Sequence, residues 1–106
     1  MDSITETYKM IEIYSRMMKE YDHPNVNLDR IEQSYISSIK CIYNEYRNAM
    51  ISYLSRTYIS DDGTFTTFGK DVSDDINDII SRFKQSSIDL DIFRKVKKDI
   101  EEKRAN

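Results

Sequence analysis

Residues 26–62 read VNLDRIEQSYISSIKCIYNEYRNAMISYLSRTYISDD, thirty-seven positions without a glycine or a proline. Leu28, Ile31, Tyr35, Ile39, Ile42, Tyr46, Ala49 and Tyr53 recur there every three or four residues. That period is the mark of an amphipathic helix rather than of a strand. Asn27 suits its N-cap, and the helix is expected to run from about 28 to 59, roughly 48 Å at 1.5 Å per residue. Asp61-Asp62-Gly63-Thr64 supplies turn residues to end it. Ile36, Tyr43, Met50 and Leu54 lie beside the main stripe and widen the apolar arc to roughly 140°, room for two neighbouring helices. This segment is therefore expected to be the spine of the domain.

Working outward, Ser3 and Glu6 have the spacing of a capping box. They open a first helix that should reach about Tyr21, before Asp22-His23-Pro24-Asn25 interrupts it. Beyond Gly63, Phe65, Phe68, Val72, Ile76, Ile79 and Phe83 predict a third helix that starts between Thr67 and Asp71 and ends near Lys84. Gln85-Ser86-Ser87 reads as a short linker. A second capping box, Ser86 with Asp89, then opens a fourth helix carried by Ile92, Val96 and Ile100. Its basic end, Lys97, Lys98, Lys103 and Arg104, complements the helix dipole. The expected fold is all-α: a single four-helix, bundle-like domain over residues 1–106, with antiparallel neighbours across short connections.

Composition narrows the function classes. One cysteine, Cys41, rules out an internal disulfide framework and fits a reducing, cytoplasmic setting. The first ten residues, MDSITETYKM, lack the basic and apolar regions of a secretory signal, and no apolar run is long enough for a membrane span. Alanine, glycine and proline are scarce, whereas isoleucine, serine, tyrosine, aspartate and lysine dominate. That bias suggests AT-rich coding, as in many viral and mobile-element proteins. The net charge is −3, with −5 over residues 61–91 and +3 over residues 92–106. An acidic balance argues against non-specific nucleic-acid binding, which depends on phosphate neutralisation.

The catalytic inventory is thin. His23 is the only histidine and sits in a turn, and Cys41 lies about 120° from the centre of its helix's apolar stripe, so no nucleophile–base pair is indicated. Two soft ligands do not make a zinc site. Asp61–Thr67 echoes an EF-hand loop around Gly63. Loop position one then falls on Tyr58 and position twelve on Gly69, so the first and the bidentate acidic ligands are both missing. Neither metal nor cofactor is expected, and the chain is read as a non-enzyme.

Two surfaces point instead to a protein partner. Ile4, Tyr8, Ile11 and Met18 suffice to pack the first helix, so Met10, Ile13, Met17 and Tyr21 form surplus apolar surface suited to a partner groove. Eight tyrosines push the same way, although Tyr35, Tyr46 and Tyr53 belong first to the core. Asp71, Asp74, Asp75 and Asp78 share one side of the third helix, either as a solvated, dipole-compatible face or as a docking surface for a basic partner. The sequence thus suggests a small protein-binding module of the inhibitor, immunity, chaperone or anti-host kind. The alternatives are a homodimeric structural protein built on the first helix, and a nucleic-acid-binding regulator using Arg94, Lys95, Lys97 and Lys98.

Overall fold

The computed structural model describes residues 3–56 and 68–106, with side chains over 3–53 and 73–106. Three helices account for almost all of them: α1, Ser3–Tyr21; α2, Leu28–Arg56; and α3, Phe68–Ala105. In the first turn of α1, Thr7 Oγ1 donates to the Ser3 carbonyl at 2.7 Å. Around Pro24 the chain turns on His23 N to Tyr21 O and Val26 N to His23 O hydrogen bonds. Asn27 caps α2 as expected: its Oδ1 accepts from the Arg30 N–H at 3.1 Å, satisfying a donor that helix geometry leaves without a partner. The predicted turn at Asp61–Thr64, the EF-hand echo and the last three residues of the expected spine helix lie outside the described residues.

The four-helix expectation is corrected to three. Gln85, Ser86 and Ser87 are helical, and the helices expected on either side of them are one element of 38 residues. A capping box marks a start only where something breaks the preceding helix, and neither glycine nor proline stands between Lys70 and Ala105. The apolar period also runs through the serines: Ile76, Ile79, Phe83, Ser86, Leu90 and Phe93 alternate steps of three and four. Serine at one of these positions weakens the stripe without ending it. Among the described residues the longest helix is consequently the 38-residue α3, not the 29-residue α2.

The chain divides into two compact units, to both of which α2 and α3 contribute. The first comprises Met1–Ser37 with Ser87–Asn106, and the second Ser38–Ser86. Unit one is a three-helix bundle. Tyr14 meets Asp99 and Asp22 meets Lys103, whereas Asp29 meets Lys97 and Tyr35 meets Phe93, so α1 runs parallel to this part of α3 and antiparallel to α2. Its core is Met17, Leu28, Ile92, Phe93, Val96 and Ile100, with Ile13, Tyr14, Met18, Tyr21, Val26, Ile31 and Tyr35 packed around them. Four of the six central residues come from α3, which is the core-bearing helix here. Unit two pairs the C-terminal part of α2 with the N-terminal part of α3. Among the described residues it comprises two antiparallel helices, and its one buried residue is Ile79.

Candidate functional site

The outer face of α1 departs from its sequence reading. Ile4, Tyr8 and Ile11, expected to pack inward, are 69%, 69% and 55% exposed. Met17, expected on the partner face, is 2% exposed, and Ile13 and Tyr21 also pack on the core. Of the surplus residues only Met10 stays open, at 42%. The reason is angular. Met17 lies 180° from Tyr8 at 100° per residue, and the inward direction is set by Phe93, which the Tyr21 ring meets edge-on at 5.4 Å between centroids. The exposed residues 4, 8 and 11 form a continuous stripe. Beside it Thr7, Met10, Ile11 and Tyr14 line a shallow depression with Ile92 and Lys95 of α3.

Polar contacts hold unit one in register. Tyr14 donates to Asp99 Oδ2, a hydrogen bond that raises its hydroxyl pKa together with burial and the carboxylate charge. Lys97, a candidate nucleic-acid contact by sequence, is instead bound to Asp29 at 2.7 Å and Glu32 at 3.2 Å. Those hydrogen bonds raise its pKa. Lys103 donates to Asp22 at 2.6 Å and lowers the Asp22 pKa, while Arg104 reaches the His23 carbonyl. Arg94, Lys95 and Lys98 are exposed.

In unit two the charged side chains are sorted by side. On one side Arg82 spans Glu45, at 2.6 and 3.1 Å, and Asp78, at 3.1 Å. The Glu45 pKa is lowered by this bond and the guanidinium pKa is raised. Asp75 and Asp78 line a depression there with Glu45, Asn48, Ser52 and Arg82. Of the predicted acidic set, then, Asp78 is internally paired, Asp74 and Asp75 are exposed, and the Asp71 side chain lies outside those described. On the other side an apolar groove of about 370 Å³ is lined by Tyr43, Tyr46, Ile79, Ile80, Phe83 and Lys84. Ile39, Lys40 and Asn44 extend it along α2 past Tyr43 and Phe83. Tyr43 is 56% and Phe83 38% exposed, although sequence periodicity placed Phe83 in the core. Sequence reasoning missed this groove. Its signal was the breadth of the α2 stripe, which has room for two neighbours where unit two supplies one among the described residues.

Cys41 is exposed, and His23 stands in the α1–α2 turn. Among the described residues no three His, Cys, Asp or Glu side chains gather as a metal site, and no helix is long and apolar enough to cross a membrane. No family model matches the chain, and comparison with curated proteins and with solved structures finds no match.

Proposed function

We propose that this chain is a non-enzymatic protein-binding module that occludes a surface of its partner, with the outer face of α1 as a contact. The observation that carries this reading is the exposed stripe of Ile4, Tyr8 and Ile11 on a helix whose opposite side already completes a core. Apolar side chains at helical spacing on a finished bundle have no folding role left to explain them, and such patches mark contact surfaces. Tyrosine at the centre of the stripe suits the amphipathic character of protein interfaces. Of the described aspartates, Asp74 and Asp75 are exposed and not internally paired, and their charge would speed encounter with a basic partner.

A photo-crosslinking residue at position 8, with a control at the exposed position 102, tests the proposal in the cell of origin. A discrete protein adduct is expected from position 8 alone, and Ile4→Asp/Ile11→Asp should abolish it. Adducts of equal yield from both positions would refute it. Light scattering over a roughly hundredfold concentration range separates self-association, because a homodimer dissociates on dilution. A dimer lost in Ile4→Asp/Ile11→Asp would assign the stripe to a second copy of the chain.

A further inference from the structure

Unit one covers its α2–α3 pair with a third helix, whereas unit two has only two helices among the described residues. We infer that the groove of unit two is a docking site for an acidic amphipathic helix of a partner protein. This does not depend on the α1 stripe. The groove is apolar along its floor, where Ile79 and Ile80 lie between Tyr43, Tyr46 and Phe83. Ile39, Tyr43 and Tyr46 follow an i, i+4, i+7 pattern on α2, facing Ile79, Ile80 and Phe83 on α3. Two antiparallel helices with open apolar edges accept a third helix as side-chain ridges enter the groove between them.

Charge selects the occupant. Lys40 and Lys84 line the groove, and Arg47 follows Tyr43 by one turn on the same side of α2. None of the three has an ion-pair partner among the described residues. The described acids of this unit point elsewhere. Glu45, Asp75 and Asp78 line the depression on the opposite side, and Asp74 falls 180° from Phe83 on α3. The α3 edge beside Ile80 carries Ser73, Asn77 and Lys84, with no carboxylate. A helix docking here therefore meets an apolar floor flanked by Lys40 and Lys84, with Arg47 one turn beyond Tyr43 on the α2 side. Its complement is an apolar stripe at i, i+3 or i+4, and i+7, flanked by Glu or Asp.

The test uses the full chain and two fluorescein-labelled, hydrocarbon-stapled helical peptides of about 14 residues, four turns each. Both carry leucine at i, i+3, i+7 and i+10. One is flanked by glutamates and the other by lysines at the same positions. Fluorescence anisotropy is expected to show binding of the glutamate peptide, with the lysine peptide at least about fivefold weaker, as loss of several rim ion pairs implies. Lys40→Glu/Lys84→Glu alters only exposed side chains, so the fold should persist by circular dichroism and the preference between peptides should invert. Phe83→Asp should abolish binding, and Ile4→Asp/Ile11→Asp should leave it unchanged. Failure of both peptides to bind, or equal affinity for them, would overturn the inference. So would a wild-type dimer that Phe83→Asp dissociates, because the groove would then receive a second copy of this chain.

Discussion

The Tyr35 ring lies against Phe93 at 5.2 Å between centroids, tilted by 35°, while Tyr21 meets the same ring edge-on. One aromatic side chain of α3 thus joins α1 and α2 in unit one, and it has no solvent exposure. Phe93→Ala is expected to lower unfolding free energy by about 3–5 kcal/mol, the range for a large buried aromatic. Phe83→Ala, at a position 38% exposed, should cost less than half as much. Urea titrations of both variants check this; equal losses would contradict the difference in burial.

Tyr35 also makes stability fall with rising pH. Burial, followed by the hydroxyl–hydroxyl contact with Tyr21 at 3.4 Å, raises its pKa in the folded protein. Its unfolded counterpart titrates near pH 10. The contribution is complete below that pH, and it is lost as the denatured state ionises first and pH climbs toward the raised native value. Lys97, also raised in the native state, adds to the same alkaline window. Melting temperature should therefore fall above about pH 10, and less steeply in Tyr35→Phe. An unchanged slope in that variant would remove Tyr35 from the explanation.

The continuity of α3 through Ser86 and Ser87 separates what the sequence carried from what it did not. Helix positions were legible wherever the three-to-four period met a hard stop, as at Pro24, or a capping side chain, as at Asn27. The break at Gln85–Ser87 rested on serine and a capping-box spacing alone, and serine is tolerated within helices. Ser87→Pro is expected to cost about 3 kcal/mol or more, as proline does within a helix. Ser87→Ala should be neutral or slightly stabilising. Thermal melts by circular dichroism decide, and a harmless proline would restore the linker.

Lys97 holds Asp29 and Glu32 from a side chain 19% exposed, so the α2–α3 register in unit one has a partly sheltered ionic tie. Lys97→Glu places a fourth carboxylate among Asp29, Glu32 and Glu101, and should lower stability by about 1–2 kcal/mol, above the usual cost for an exposed pair. Added salt should narrow the gap between variant and wild type, since screening weakens attraction in one and repulsion in the other. A gap that is constant from low to high salt would mean that packing of the lysine stem, not its charge, is what the substitution removes.

Met10 and Met17 lie seven residues apart on α1, at 42% and 2% exposure. The sequence could place both on one surplus apolar face because methionines two turns apart share a helix side. It could not show that α3 closes over that side at Met17 and leaves it open at Met10. The inward direction depends on Phe93 and Val96, some eighty residues away in the chain, and no local period carries that information. Met17→Ala is expected to lower stability by about 2–5 kcal/mol, as truncation of a core methionine does. Met10→Ala, like Tyr8→Ser, should stay within about 0.5 kcal/mol of wild type, as surface substitutions do. Chemical denaturation of the three variants supplies the comparison. Should Met10→Ala or Tyr8→Ser prove as costly as Met17→Ala, the outer face of α1 would be part of the fold, and the stripe would lose its claim to be a binding surface.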